Sequence, residues 1–479
     1  MGNQHNFDGE RMNCGILHIG VGNFHRAHQA FFINQLLRDE DQANWGICGV
    51  CLLASDKNTF QNLTAQNLRY TLTVCGRDGR DELHEIEAIK ELLWAVEQPD
   101  AVLDKIADPA IKIITLTITE GGYNLDKSTQ SFIWDNETVE HDLKRPSAPK
   151  TIFGFIAEGL RRRREKQVGG LTILSCDNLQ HNGDAAKQAF TTFIAEQDED
   201  LFHWVRDHVS FPNSMVDRIT PTTTAQDVER LNKKSGIADK APVYCEDFIQ
   251  WVIEDNFIAG RPALERVGVE FTDNVEPFEN MKLSLLNASH TLLSYPSMLK
   301  GYRKVDQAMQ DEDIRAFIKT FMDLDITPHV PAPKGTDLEE YKQTLVERFG
   351  NKSVSDQVSR LCGDGLSKFP VYIVPNLKKM IAAGQDLSRV AILIAAYRHY
   401  LAYLKDDTGS SYEINEPWLT QQDLDLIKDE NPLAFLAIPP FKHLNLADEK
   451  GFAEHYVNYV KRIKNEGMGT VLANQSLSH

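Results

Sequence analysis

The chain has 479 residues, with 51 Lys+Arg against 69 Asp+Glu and a formal net charge of −18. That length predicts about three domains, or two large ones, with a core that needs no disulfide or metal staple. A hydrophobic content of 42% and a charged content of 25% exclude wholesale disorder and fibrous classes, and the acidity argues against nucleic acid or an anionic membrane surface as the main partner.

Taken in chain order, Met1 to Asp8 lacks the charged-then-apolar pattern of a secretory leader. Ile16-Leu17-His18-Ile19 reads as a strand ended by Gly20, and Phe24 to Leu37 has the apolar spacing of a helix. Ile47 to Leu53, Ile111 to Ile118 and Leu171 to Leu174 read as further strands. The basic run Arg161 to Arg164 with Lys166 falls in a helical stretch and reads as a solvated face. Beyond residue 280 the patterns turn helical: Leu283–Leu293, Ile314–Met322, Leu338–Phe349, Val354–Leu361, Ser388–Leu404, Gln421–Lys428 and Phe452–Asn465. The longest apolar run, Val390 to Tyr397, is far short of the roughly 20 residues a membrane span needs. The prediction is an α/β fold: a Rossmann-type, mostly parallel sheet over residues 1–280, then a mainly α-helical domain over 281–479. Seven scattered cysteines, an odd number, read as reduced thiols of a cytoplasmic protein. Cys48-x-x-Cys51 has redox-like spacing, but it lies in an apolar strand pattern.

Gly20-Val21-Gly22-Asn23-Phe24-His25 follows a strand and opens a helix, the context a dinucleotide-binding turn requires. Gly20 suits the tight turn, Gly22 lets the backbone approach a pyrophosphate, and the helix start offers N–H groups to that anion. The third glycine of the fingerprint is His25 here. Asp56, after the second strand, is the candidate for the adenosine ribose; a carboxylate there repels a 2′-phosphate and so favours NAD. A solvent-exposed loop aspartate is the alternative reading.

Lys282, Asn287 and His290 share one helical stretch among leucines. At about 100° per residue, Asn287 lies roughly 140° round from Lys282, with His290 between them at roughly 80°. A lysine stripped of hydration becomes a plausible general base, Asn287 can donate to a developing alkoxide, and His290 can fix a second hydroxyl. A snorkelling lysine beside a core histidine fits the spacing as well. Cys176-Asp177-Asn178 and Thr117 to Tyr123 each end a strand, where Rossmann-type sheets place ligands. His25 and His28 could pair on a metal, but no third ligand is evident. Tyr123-x-x-x-Lys127 has short-chain dehydrogenase spacing but follows a glycine pair, and no P-loop is present.

Together the chain resembles the mannitol dehydrogenase family of polyol-specific long-chain dehydrogenases. The resemblance rests on Gly20 to His28, Thr117 to Tyr123, Ser175 to Leu179 with His181-Asn182-Gly183, Met215 to Pro221, and Lys282-x4-Asn287-x2-His290. It implies zinc-independent, NAD-linked oxidation of a secondary alcohol on a small polyol or ketose. Lys282 would be the acid/base, and Asn178 and Asn287 would hold the alkoxide. His290 would orient the substrate, and Glu279 would relay the proton. Asp217 and Arg360 would be substrate contacts. Gly20, Gly22, Asn23, Phe24, Asp56 and Lys368 would serve the cofactor. D-Mannitol/D-fructose ranks first, D-fructuronate/D-mannonate second and D-arabinitol third; a NAD-binding protein without catalysis is the reading from a different class. The resemblance also implies a site at the junction of two domains and allows a monomer.

Overall fold

The structure, a computed structural model, describes residues 13–126 and 129–476. The stretch read for a leader and Lys127 lie outside the described residues. Six strands form the main sheet: β1 (Cys14–Ile19), β2 (Gly46–Cys51), β5 (Ile89–Trp94), β6 (Ile113–Leu116), β7 (Leu171–Ser175) and β8 (Val209–Ser210). All neighbours are parallel, in the order β5-β2-β1-β6-β7-β8. Counted within the sheet this is 3-2-1-4-5-6, the doubly wound Rossmann order. The winding reverses between β1 and β6, and their carboxyl ends leave the crevice where such sheets take ligands.

Every residue of β1, β2, β6 and β7 is buried, as expected for a parallel sheet covered on both faces. Leu17, Ile19, Val50, Ile114 and Leu116 join one core layer with Phe155 and Ile156. Ile16, Ile47 and Ile113 join the other with Phe31, Phe32 and Leu36. Cys48 falls in the first layer and Cys51 in the second, so the C-x-x-C pair points to opposite faces and cannot converge on a metal or a bridge. All seven cysteines are buried and free.

Strands β3 (Tyr70–Cys75), β4 (Asp81–Ile86) and β10 (Val243–Glu246) form a second sheet. Strands β9 (Ser214–Asp217), β11 (Gln250–Glu254) and β12 (Glu270–Thr272) form a third. The helix expected over Phe24 to Leu37 is two, Asn23–Ala27 and Gln29–Leu36. They break at His28, whose ring is held between the carbonyl of Gln250 (2.8 Å) and the Gln29 amide (2.9 Å).

The basic run is only partly a solvated face, with Lys166 exposed, Arg161, Arg162 and Arg164 half-buried, and Arg163 inside. Arg161 pairs with Glu158 and Asp198, Arg162 with Asp100 and Asp104, and Arg164 with Asp198. Arg163 is fully buried, and its guanidinium donates to the carbonyls of Ile106, Asp108, Ile111, Gly169 and Gly170 at 2.9–3.2 Å. Those carbonyls belong to the loops leading into β6 and β7, so Arg163 satisfies backbone groups that would otherwise be buried without donors. Burial pulls its guanidinium down to about 10.

The described residues divide into two units, one running from the N-terminal side to Gly76 with Arg80–Glu276, the other Arg77–Gly79 with Pro277 onward. The second unit is helical. Ser388–Tyr403 is buried almost all round and includes the apolar run Val390 to Tyr397, which makes it a core helix. No helix among the described residues is long and apolar enough to cross a membrane. Leu338–Phe349 and Gln421–Lys428 match the sequence reading, whereas the pattern at Val354 to Leu361 yields only Val358–Cys362. Three segments are π-helical: Lys282–Asn287, Phe321–Ile326 and Phe369–Ile373.

One polar cluster inside the first unit sets the end of β1. His18 Nε2 donates to the Gly20 carbonyl at 3.0 Å, and its Nδ1 accepts from Thr115 Oγ1 at 2.8 Å. Thr117 Oγ1 donates to the same carbonyl at 2.7 Å. The His18 ring stacks on His25, centroids 3.3 Å apart. Both are fully enclosed, and burial pushes His18 down to about 3 and His25 well below its ordinary value.

Two outcomes follow from this packing. Arg163→Met should lower unfolding free energy by about 3 kcal/mol, because the carbonyls it caps stay buried; a urea melt within about 0.5 kcal/mol of wild type would contradict this. The buried neutral histidines make stability fall on acidification. The unfolded chain takes up a proton near 6.5, while folded His18 does so only near 3, so stability present above 6.5 is lost as pH falls through that window. At pH 4.5 the His18 share is on the order of 2–3 kcal/mol. His18→Asn should flatten the dependence of urea midpoint on pH; an unchanged slope would contradict the assignment.

Candidate functional site

The glycine turn follows β1 directly. Gly20 has φ +100, and a Cβ there would lie 2.1 Å from the Thr117 carbonyl oxygen. Only glycine lets the end of β1 pass this close to the end of β6. Gly22 is exposed, and a Cβ there would meet nothing nearer than the Gly20 oxygen at 4.0 Å. The turn thus leaves clear space above its backbone, a cradle for a phosphate-bearing group. No side chain caps the helix start at Asn23.

Behind the turn sits a cation. Arg26 is buried and donates to Asn23 Oδ1 at 2.6 Å and to the Ala241 carbonyl at 2.5 Å. Its guanidinium lies over the Tyr70 ring, 5.3 Å from the centroid. Asn23 Nδ2 in turn donates to Thr223 at 3.2 Å, so Asn23 is held from both ends. Phe24 stacks on His28 at 5.1 Å. Asp56 is half-buried after β2, and its Oδ2 accepts from the Leu53 N–H at 2.8 Å, which fixes the carboxylate at the mouth of that turn.

The next strand ends lie beside it. Asn178 is exposed just past β7, and its neighbour Asp177 is buried. Asp177 accepts from the N–H groups of Ile118 (3.1 Å) and Thr119 (2.9 Å) and from the Tyr123 hydroxyl (2.7 Å). Tyr123 is fully buried and also meets Ser175 Oγ at 2.5 Å, so it is committed to this network and cannot serve as a short-chain dehydrogenase base. Asn182 staples the ends of β7 and β9: its amide donates to the carbonyls of Ser175 and Asp177, and its oxygen accepts from Ser214 N–H. Asp217 is buried at the end of β9, opposite Gln250 of β11.

In the second unit, Glu279 and Lys282 are buried and Asn287 and His290 are half-buried on one continuous helical rod. The segment Lys282–Asn287 is π-helical rather than α-helical. An i→i+5 ladder stacks residues five apart roughly one above the other, so Lys282 and Asn287 share a face instead of lying 140° apart as α spacing implies. Leu283, Leu285 and Leu286 are buried around them. Ser284 Oγ donates to Asn376 Oδ1 at 3.2 Å. The His290 ring lies 4.3 Å from Phe349.

Arg360 and Lys368 belong to this unit. Arg360 grips Asp356 with both carboxylate oxygens, at 2.8 and 2.5 Å. Burial pushes the Asp356 carboxyl up, but the charge and hydrogen bonds of Arg360 outweigh that and hold it below its ordinary value; His290 contributes in the same direction. Lys368 Nζ donates to the carbonyls of Arg360 (3.2 Å) and Leu361 (3.0 Å), and burial with the nearby Arg360 charge lowers it. Among the described residues no group of three or more His, Cys, Asp or Glu is gathered that could hold a metal ion.

Sequence reasoning assigned no role to His18, Arg26, Asp177 or Asp356. Each carried a readable signal: a charged or imidazole group where the periodicity expects an apolar one. Asn23 for Arg26 and Arg360 for Asp356 stand within one helical turn, whereas Ala241 for Arg26, Thr115 for His18 and the amides of Ile118 and Thr119 for Asp177 are distant in sequence and were not readable.

Similarity to known proteins agrees with this arrangement. Residues 14–266 match the mannitol dehydrogenase Rossmann domain and residues 274–464 the mannitol dehydrogenase C-terminal domain. The chain is 39% identical over 464 residues to a polyol:NADP oxidoreductase of Gluconobacter oxydans, covering 96% of this chain and 95% of that one. It is 38% identical over 414 residues to a mannitol 2-dehydrogenase of Aspergillus fumigatus, covering 85% and 82%. The Pseudomonas fluorescens mannitol 2-dehydrogenase, solved as a ternary complex with NAD and D-mannitol, superposes with a TM-score of 0.91 at 40% identity, covering 99% of this chain and 96% of that one. A D-sorbitol dehydrogenase solved in substrate-free form gives 0.87 at 38% identity, covering 97% and 96%. Matched over both of its halves, the chain belongs to the mannitol dehydrogenase family.

Proposed function

We propose that the chain is a NAD-dependent polyol dehydrogenase that interconverts D-mannitol and D-fructose without zinc. The observation that carries this reading is the π-turn: it buries Lys282 and brings the Asn287 amide to the same face, in a chain similar over nearly its whole length to a mannitol 2-dehydrogenase. The open cradle above Gly22 and the Arg26 charge behind Asn23 fit a dinucleotide pyrophosphate. Asp56, held by the Leu53 N–H, fits a ribose hydroxyl better than a 2′-phosphate, which supports NAD over NADP. Seven free, buried thiols suit a cytoplasmic enzyme.

The coenzyme, when bound, accepts or returns the hydride at the alcohol carbon. The rest is the work of the chain. Neutral Lys282 takes the hydroxyl proton as the C–H bond breaks, and in the reverse direction its ammonium protonates the carbonyl oxygen. The amides of Asn287 and Asn178 donate to that oxygen as charge builds. Glu279, one helical turn before Lys282, receives the proton onward. His290 orients the neighbouring hydroxyl. Asp217 and Arg360 are substrate contacts, and Lys368 serves the coenzyme.

A specific feature favours a neutral polyol over a uronate. A substrate carboxylate needs an available cation, and Arg360 is held bidentately by Asp356 while Lys368 is spent on carbonyls.

Lys282→Ala should lower kcat about 10²–10⁴-fold in both directions while the NADH dissociation constant stays within about twofold; activity near wild type from pH 6 to 10 would overturn the role of Lys282. A panel of fructose, fructuronate, tagaturonate and xylulose with NADH and NADPH tests the substrate. Fructose with NADH should turn over fastest. Fructuronate turnover without fructose turnover would replace the polyol reading, and inactivity on all would leave a binding protein.

A further inference from the structure

Just past β6 the backbone takes a shape that only glycine adopts readily, and the residue there is a threonine. Thr119 has φ 67 and ψ 165. For a β-branched residue this region costs on the order of 1–3 kcal/mol and persists only where its surroundings over-determine it. Glycines stand close by at 121 and 122, yet position 119 is not one of them.

Two contacts hold this backbone: the Thr119 carbonyl accepts from Gly122 N–H at 3.0 Å, and a buried carboxylate takes the N–H side. Asp177 Oδ1 accepts from Thr119 N–H at 2.9 Å, and Oδ2 accepts from Ile118 N–H at 3.1 Å and from Tyr123 O–H at 2.7 Å. Tyr123 is braced by Ser175 at 2.5 Å. Asp177 is 8% exposed, and Tyr123 and Ser175 are fully buried. No lysine or arginine forms an ion pair with Asp177 among the described residues. Burial pushes its carboxyl up to about 6, against the pull of its three donors. A carboxylate enclosed without a counter-charge is costly, and so is the threonine conformation it holds. Both costs sit at one place, and the β6–β7 pairing does not require them, since it ends earlier at Leu116 opposite Ser175.

What the clamp holds leads to the glycine turn. Thr117, one residue before Ile118, donates its N–H to Ile19 at 3.0 Å and its hydroxyl to the Gly20 carbonyl at 2.7 Å. Its own carbonyl is the group that leaves Gly20 no room for a side chain. The line of contact runs from Asp177 through the amides of Ile118 and Thr119 to Thr117 and Gly20.

We propose that Asp177 is a positioning residue for dinucleotide binding, holding the 117–119 backbone in a strained shape that sets the glycine turn. This rests on the coenzyme reading of that turn. Relief of strain is the distinguishing prediction, because a glycine at 119 reaches the same shape without a clamp.

The test is NADH titration by fluorescence on the full chain. Wild type must bind NADH; if it does not, the coenzyme reading itself fails. Given binding, Asp177→Asn should raise the dissociation constant about tenfold, since its amide presents N–H groups to backbone N–H groups. Thr119→Gly should stay within about twofold of wild type, and Asp177→Asn with Thr119→Gly should return to within about threefold. Each dissociation constant is read on protein shown to be folded by its urea midpoint, so a role in folding alone predicts wild-type binding by folded Asp177→Asn. Equal weakness of the double and single variants, or an unchanged Asp177→Asn, overturns the proposal. If Asp177→Asn does not fold, Tyr123→Phe, which removes one of the three donors, replaces it: two- to fivefold weaker binding, relieved by Thr119→Gly, supports the proposal, and unchanged binding overturns it.

Discussion

Gly20 and the Thr117 carbonyl approach too closely for any side chain between them, and much of the candidate coenzyme site depends on that contact. Two parallel strands side by side normally leave room for side chains at their ends. Here β1 and β6 come together so tightly that residue 20 must lack a Cβ. The Gly20 carbonyl is then trapped, and it collects donors from His18 and Thr117. With that oxygen fixed, Gly22 is turned outward and the helix at Asn23 starts in a set direction. A neutral, enclosed histidine is the natural partner, because burial would starve a charged His18 ring of water.

Four strands of the main sheet, β1, β2, β6 and β7, were legible because they are buried on both faces and write continuous apolar runs, as at Ile113 to Leu116, whereas β5 is half-exposed, β8 is two residues long, and neither was read. The small sheets were not. Strand β4 has the sequence Asp81-Glu-Leu-His-Glu-Ile86, with Glu82, Leu83 and Glu85 exposed, so no apolar alternation marks it and periodicity reads it as loop. Strand β9 is four residues long, too short for a period. The Arg161 to Arg164 run misled because charge in a helix is ordinarily exposed, and nothing local reveals that Arg163 faces the carbonyls of the loops leading into β6 and β7.

The helical half shows a different limit. The residues Lys282, Asn287 and His290 were visible, but their relation was not, because it was computed for 3.6 residues per turn. A π-turn has one more residue in each hydrogen-bonded ring and poorer packing along its axis, so it persists where neighbours compensate for it. Around Lys282–Asn287 the buried leucines and the Ser284–Asn376 bond supply that compensation. The gain is that a lysine and an amide five apart lie nearer one face than an α-helix of the same sequence would set them.

Charge brings the two halves to one argument. A chain of −18 attracts neither a pyrophosphate nor a carboxylate at long range, so any anion must be met by local groups. In the first unit such a group is Arg26, held inside the fold by the Ala241 carbonyl and the Asn23 amide oxygen, with the buried Asp239 carboxylate near enough to favour its charge. In the second unit the corresponding cation, Arg360, is cancelled by Asp356. The first unit therefore keeps a guanidinium without a directly paired carboxylate behind its glycine turn, whereas the second holds Arg360 in a bidentate carboxylate pair. The same acidic sequence thus sets the local potential of each unit through the partner it gives one arginine, amide and carbonyl oxygens for Arg26 and a carboxylate for Arg360.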